Sequence, residues 1–296
     1  MTESIVNAIR TIPELRAQLA ARRAAGASVA LVPTMGALHD GHCALIERAA
    51  AEHEIVVVSI FVNPPQFNDA ADLANYPRNE RRDIELAAGA GATFCFVPAV
   101  DEIYPSGAAT SIHVSGRLTE TLEGVERGAS HFDGMATVVT ALLNITAPQA
   151  AYFGAKDAQQ ALVVQRFVTD LHIATRIITV ETVRDQEGLA LSSRNARLSD
   201  EQREQALALS AALRLTAEMI AERRAQTPQQ AIAAGLQHLT DCGLEPEYLS
   251  VTDAQTLAPA SELRGELLIA CAARLGEVRL IDNLTVNANR EAATVQ

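Results

Sequence analysis

The chain contains no tryptophan and few aromatics of any kind, 4% of 296 residues. That leaves little with which to stack the bases of a single-stranded nucleic acid. Positive charge is also scarce: 24 Lys and Arg stand against 36 Asp and Glu, for a net charge of −12. An acidic chain repels a phosphate backbone unless basic side chains gather in a stripe, and none is visible, so no nucleic-acid partner is expected. No apolar run reaches the roughly 18 residues that span a bilayer, so no membrane partner is expected either. Met1 to Pro13 lacks a basic segment followed by an apolar one, so no signal peptide is read there. Cys43, Cys95, Cys242 and Cys271 are scattered, with no C-x-x-C pair. That usage fits incidental thiols in a reducing compartment, and a cytoplasmic location is the expectation.

The acidity sharpens one question. If such a protein binds an anionic substrate, a few cations must be concentrated at one place. Isolated Lys, Arg and His near glycine-rich turns are therefore the residues to follow.

The length and the 48% hydrophobic content allow a sizeable core, in one large domain or two unequal ones. Apolar, β-branched runs read as buried strands at Ser28–Pro33, Glu54–Val62, Thr93–Val97, Ala150–Phe153 and Thr175–Val183, with a short one at Ile112–Val114. Helical patterns fall between them at Ile12–Ala25, Gly41–Ala51, Arg81–Ala90, Gly134–Thr146 and Ala158–Leu171. This alternation predicts an α/β fold, a Rossmann-like doubly wound parallel sheet. Ligands bind such sheets beyond the carboxyl ends of the strands, here after Val32, Ile60, Tyr152 and Val183. After Asn195 the pattern changes to two helices, Leu198–Arg224 with Ser199 as N-cap and Thr227–Leu239, then short strands at Tyr248–Thr252, Glu266–Ala272 and Val278–Asp282. The expected organisation is a larger domain over residues 1–184 and a smaller α+β domain over 185–296, with the boundary near Arg184–Gly188.

Three clusters follow strand ends, and a fourth lies at the domain boundary. In Pro33-Thr34-Met35-Gly36-Ala37-Leu38-His39-Asp40-Gly41-His42, the two glycines let the backbone turn tightly beside a helix N-terminus, a natural anion site. His39 and His42, three apart, share one side of that turn. Phosphate work is the preferred reading. Zinc competes, but Asp40 and Cys43 are poorly spaced to complete its shell. Asn63 and Gln66, in Phe61-Val62-Asn63-Pro64-Pro65-Gln66-Phe67, carry amides for hydroxyls or carboxylates, although Asn-Pro also starts ordinary turns. In Phe153-Gly154-Ala155-Lys156-Asp157-Ala158-Gln159-Gln160, Lys156 is placed as a cation near a phosphate, with a spacing unlike a P-loop. Ser192-Ser193-Arg194-Asn195 suits a polyphosphate, or caps the next helix. Glu126–Gly134 reads as a polar loop, in which Arg127 either holds an anion or is solvated.

Taken in order, P-T-M-G-A-L-H-D-G-H, F-V-N-P-P-Q-F, Y-P-R, H-F-D-G, F-G-A-K-D-A-Q-Q and S-S-R-N resemble the pantoate–β-alanine ligases, members of the H-x-G-H nucleotidyltransferase group. The resemblance runs from Val32 to Asn195, and the smaller carboxyl-terminal domain fits it as a lid. It implies AMP-forming ligation of pantoate to β-alanine by way of a pantoyl adenylate, with Mg²⁺ accompanying ATP, and a homodimer. His39, His42, Lys156 and Arg194 would be catalytic. Met35, His42, Gly154, Lys156, Asp157, Val183, Ser192, Ser193 and Arg194 would bind ATP. Met35, Asn63, Gln66 and Gln160 would bind pantoate, with Tyr76 and Arg127 lining the site. The chain departs from the family at Gly128, where proline is usual, at Asp133, where arginine is frequent, and at Glu187, where aspartate is common. Glu80-Arg81-Arg82-Asp83 is more basic than the acidic metal-binding stretch of relatives. The protein ligand to Mg²⁺ is therefore left unassigned, with phosphate oxygens as its expected holders. Two rivals are a nucleotidyltransferase moving AMP or CMP onto a phosphate substrate, and a non-catalytic nucleotide-binding protein.

Overall fold

Strands as apolar as Val29–Thr34 and Ile55–Ile60 are stable only with cover on both faces, and the fold supplies it. The computed structural model describes residues 8–289; the reading of Met1 to Pro13 therefore lies partly outside the described residues. The chain divides into two compact units, one of residues up to 119 with 123–183, the other of 120–122 with the residues from 184 on. Up to Val183 the elements are β1 (Ala8–Ile9), α1 (Ile12–Ala24), β2 (Val29–Thr34), α2 (Asp40–Glu52), β3 (Ile55–Ile60), α3 (Ala70–Asn75), α4 (Glu80–Gly89), β4 (Phe94–Phe96), α5 (Val100–Ile103), α6 (Arg117–Glu120), α7 (Glu123–Thr146), β5 (Ala150–Gly154), α8 (Ala158–Asp170) and β6 (Arg176–Val180).

The first unit is built on a six-stranded sheet in the order β1-β4-β3-β2-β5-β6. Every pairing in it is parallel. Alternate residues of each strand face opposite ways. Val29, Leu31 and Val57 pack with Leu15 and Leu19 of α1, Met135, Val139 and Leu142 of α7, and Val164 and Phe167 of α8. Ala30, Val32, Val56 and Val58 pack with Leu45, Ile46 and Ala49 of α2 and Ala87 of α4. The α/β sheet read from the alternating pattern is thus present, helices on both faces. From β2 the chain winds outward through β3 to β4, then returns to the other side of β2 with β5 and β6. The switch point lies between β2 and β5, the place beyond which ligands bind in sheets of this kind.

The expectations fail where an apolar run lacked a sheet partner. Ile112–Val114 is not a strand. The Ile112 amide donates instead to the Thr137 hydroxyl of α7 at 2.9 Å, and the Val114 carbonyl accepts from the Thr119 hydroxyl at 2.6 Å. Glu126–Gly134 is not a loop. The helical segment begins at Glu123 and breaks only at Gly128, whose φ of 73° and ψ of 165° interrupt it. The β1 strand, two residues long and paired with Cys95 and Phe96, is too short to show in a sequence pattern.

The second unit holds α9 (Asp200–Ala221), α10 (Pro228–Asp241), β7 (Glu245–Asp253), β8 (Glu266–Leu275) and β9 (Val278–Asn287). Its three strands form an antiparallel sheet in the order β7-β8-β9. Leu209, Leu213 and Ile220 of α9 and Leu239 of α10 join Leu249, Ile269, Cys271 and Leu280 of the sheet in its core. Ser199 and Gln202 form a reciprocal cap on α9. The Gln202 amide donates to the Ser199 hydroxyl at 3.2 Å, and the Ser199 amide donates to the Gln202 side-chain oxygen at 3.1 Å. Among the described residues no helix is long and apolar enough to cross a membrane.

Removing the cap gives a direct check on the second unit. Ser199→Ala is expected to lower stability by about 1 kcal/mol, and Ser199→Asp, which keeps an acceptor, to hold it near the starting value. Urea denaturation of the two variants measures the difference.

Candidate active site

The loop after β2 carries the first candidate side chains. Gly36 and Ala37 take positive φ values of 82° and 50°, so the chain turns sharply out of the sheet before α2. His39 is then the N-cap of α2 in extended conformation. Its Nδ1 accepts from the Gly41 amide at 3.2 Å. The His42 Nδ1 accepts, more weakly, from the His39 amide at 3.4 Å. The two ring centroids are 4.2 Å apart.

This capping decides the chemistry of both rings. An Nδ1 that accepts a backbone N–H cannot carry a proton, so the neutral ring holds its proton on Nε2 and donates from there. Burial lowers both pKa values. The nearby Lys156 adds to the effect on His39. His42 falls to about 3, through burial first and then His39. Near neutral pH the site therefore presents neutral N–H donors.

Across the switch point, β5 ends at Gly154 and a single 3₁₀ turn, Ala155–Asp157, leads into α8. Lys156 is largely buried, with its Nζ 3.9 Å from Asp157. Both residues act electrostatically on both histidines, so His39, His42, Lys156 and Asp157 share one locality. Met35 is half-buried at the start of the same loop, and Gln160 is half-buried in the first turn of α8.

The amides of Asn63 and Gln66 are arranged by the protein itself. Asn63 is buried at 1% exposure. Its Nδ2 donates to the Gly134 carbonyl at 3.0 Å and, at 3.4 Å, towards Gln66 Oε1. Its Oδ1 accepts from the Tyr104 hydroxyl at 2.7 Å. The Gly134 carbonyl can only accept, so it fixes the orientation of the Asn63 amide, and through it that of Gln66, whose Nε2 is left as the outward donor. His131 Nδ1 donates to the Gln66 carbonyl at 2.7 Å. Burial, then Arg127, lowers the His131 pKa to about 4. Gly134 is needed for this approach, since a Cβ there would lie 2.5 Å from the Pro65 carbonyl oxygen. Tyr104 had no functional signal of its own in the sequence, and His131 and Gly134 appeared only within the Glu126–Gly134 segment and its H-F-D-G string.

The remaining candidates are placed as follows. Arg127 pairs with Glu123 at 2.9 Å. Tyr76 packs edge-on against Phe67, centroids 5.5 Å apart. Val183 is the last residue of the first unit. Ser192, Ser193 and Arg194 belong to the second unit, where the Ser192 hydroxyl caps a 3₁₀ turn over Ser193–Arg197 by accepting from the Arg194 amide at 3.3 Å. The capping role read as an alternative for Ser192 is thus present, one turn earlier than α9. The hairpin leading into this segment is pinned by Arg184, bonded to Asp282 at 2.6 and 3.0 Å.

Asp83, a residue the sequence left without a role, is buried in the first turn of α4. Its Oδ2 accepts from the Ala37 amide at 2.9 Å and its Oδ1 from the Leu38 amide at 2.8 Å. Among the described residues no three His, Cys, Asp or Glu side chains are grouped to hold a metal ion.

A doubly wound sheet whose switch point carries a histidine-capped helix on one side and a lysine turn on the other is an arrangement suited to an α/β nucleotide-dependent enzyme. The family model described as Pantoate-beta-alanine ligase matches residues 7–285. The pantothenate synthetase of Moorella thermoacetica is 47% identical over 283 residues, 95% of this chain and 99% of that protein. The one from Cereibacter sphaeroides is 48% identical over 279 residues, 94% and 99% of the two chains. The crystal structure of pantothenate synthetase from Thermus thermophilus superposes with a TM-score of 0.89 at 43% identity, covering 95% of this chain and 100% of that one. A pantoate-beta-alanine ligase from Francisella tularensis, solved as a complex with beta-gamma ATP and beta-alanine, gives a TM-score of 0.76 at 33% identity over 94% of this chain and 97% of that one. The chain belongs to the pantoate-beta-alanine ligase family.

Two outcomes follow from this geometry. In Gly134→Ala the new methyl group meets backbone rather than a movable side chain, and a loss of about 1–3 kcal/mol is expected in chemical denaturation. The second concerns pH. His42 and His131 have folded pKa values below the ordinary 6.5, so between those values and 6.5 the unfolded chain binds more protons than the folded one. Stability then rises with pH through this window and is lost as pH falls below 6.5. His42→Asn keeps a cap acceptor but cannot titrate, so its drop in stability from pH 7 to pH 5 should be smaller than that of the unaltered chain.

Proposed function

We propose that this chain joins pantoate to β-alanine at the expense of ATP, in two steps. A pantoate carboxylate oxygen attacks the α-phosphorus; the bond from that phosphorus to the bridging oxygen breaks, and diphosphate leaves. The free amine of β-alanine then attacks the acyl carbon of the pantoyl adenylate. The acyl C–O bond breaks, AMP leaves, and the amine proton passes to solvent. Neither step needs a nucleophile from the protein, so the work is orientation and charge stabilisation.

The observation that carries this reading is the pair of neutral imidazoles with Nδ1 occupied by backbone N–H groups. Such rings offer Nε2–H donors at the N-terminus of α2, suited to phosphate oxygens whose charge grows in the transition state. Lys156, close enough to depress both histidine pKa values, supplies the full positive charge. We assign Gly154, Asp157 and Val183 to the nucleoside, and Ser192, Ser193 and Arg194 to the triphosphate. Gln66 and Gln160, with Met35, are assigned to pantoate, and Tyr76 and Arg127 to the lining of its site. Asn63 is assigned to holding Gln66, because its own amide is engaged on both sides. Mg²⁺ would supply charge neutralisation on the phosphates. The described side chains offer it no cage, which fits an ion held by phosphate oxygens and water. A homodimer and a cytoplasmic setting complete the reading, and four free cysteines suit the latter.

Release of AMP that depends on both pantoate and β-alanine tests the reaction. With carboxylate-¹⁸O pantoate, one label should appear in AMP; unlabelled AMP excludes the adenylate. His42→Ala is expected to slow adenylate formation by about 10²–10³-fold, the effect of losing one oxyanion-type donor. A near-normal rate in that variant would remove the imidazole from the mechanism.

A further inference from the structure

We infer that Asp83 is a positioning residue for adenylyl transfer, a buried carboxylate that holds the β2–α2 loop in the conformation that delivers His39 and His42. The inference rests on the function proposed above and concerns a residue that touches neither substrate in it. Two consecutive residues of the loop, Gly36 and Ala37, adopt positive φ. Ala37 is not a glycine, and an alanine is strained in that conformation and holds it only because its surroundings impose it. The backbone N–H groups of the loop show what imposes it. The Gly36 amide donates to the Thr34 hydroxyl at 3.2 Å, and that hydroxyl donates to the Ser59 carbonyl at 2.7 Å. The next two amides, of Ala37 and Leu38, converge on the two oxygens of Asp83. The two after that which are bonded to side chains, those of His39 and Gly41, go to the imidazoles themselves.

The arrangement is tight. A Cβ at Gly36 would lie 3.0 Å from Asp83 Oδ2 and 3.3 Å from Ile60 Cγ2. Asp83 itself is 1% exposed. It sits in the first turn of α4, whose N-terminal dipole favours a negative charge, and that turn is capped by Asn79. Each Asp83 oxygen thus already receives a charge-assisted bond from a loop amide. Octahedral Mg²⁺ normally keeps several waters, and a carboxylate so enclosed has no room for them. The acidic residue of this stretch therefore serves the histidines rather than a metal.

Asp83→Asn tests the assignment. An asparagine offers one acceptor oxygen and an NH₂ that opposes the second loop amide. AMP formation at saturating ATP and Mg²⁺ should fall about 10–100-fold, the scale of a donor displaced by around 1 Å. The Kd for Mg–ATP should change far less than kcat. Histidine ¹⁵N spectra without substrate should show His39 and His42 leaving the Nε2–H tautomer. Adding Ala37→Gly to Asp83→Asn relieves the left-handed alanine and should restore part of both the rate and the spectra. It also provides a folded variant should the single one not fold. Wild-type rate and spectra in Asp83→Asn would overturn the inference, and so would a rate loss seen only at limiting Mg²⁺ that vanishes at saturation with spectra unchanged. If instead the unaltered chain made no AMP from pantoate and β-alanine, the proposed reaction would fail while the spectra still reported on the clamp.

Discussion

Partly buried backbone amides at the mouth of α2 require acceptors, and those of His39 and Gly41 find them in imidazole nitrogens. That one constraint links fold to chemistry. It fixes the tautomer of both rings, since an occupied Nδ1 sends the proton to Nε2. It also keeps the rings neutral, because burial opposes charge and Lys156 repels it. A helix start that needed only a serine or aspartate for its cap has instead been built from two residues that remain donors on their far side.

Around that start the first unit is organised by the order of its strands. Because β2 lies between β3 and β5, the histidine loop and the lysine turn emerge side by side although more than a hundred residues separate them in the chain. The same neighbourhood is reinforced from a third direction by α7, where Gly134 permits backbone contact with the Pro65–Gln66 turn and His131 donates to it. Asn63 is buried with its amide bonded on both sides, so it and the Gln66 oxygen have defined orientations before any ligand arrives.

Most of this architecture was legible in the sequence, because its signals are local. Val29–Thr34 and Ile55–Ile60 declare themselves as buried strands, Ser199 and Pro228 as helix starts, and the H-x-G-H and G-A-K-D segments as turns that follow strand ends. What was not legible depends on contacts between distant residues. Asp83 looks like any acidic residue in a first helical turn; only the fold shows that its oxygens face Ala37 and Leu38. Tyr104 looks like core until its hydroxyl is found on Asn63. Ile112–Val114 has the composition of a strand, but nothing in its composition says that a threonine on α7 answers its amide instead. Gly128 has the opposite property: a break in helical geometry that a sequence reader takes for a loop.

The central place of β2 has a consequence for synthesis. Its partner on one side, β3, follows within a few dozen residues, but the partner on the other side, beginning at Ala150, is made long afterwards. While the ribosome traverses the intervening segment, the nascent chain carries an apolar strand with one edge unsatisfied. An open edge of that kind pairs readily with any extended neighbour. The strand order that brings the histidine loop and the lysine turn together thus also creates an interval during elongation in which an apolar strand edge stands open to mispairing.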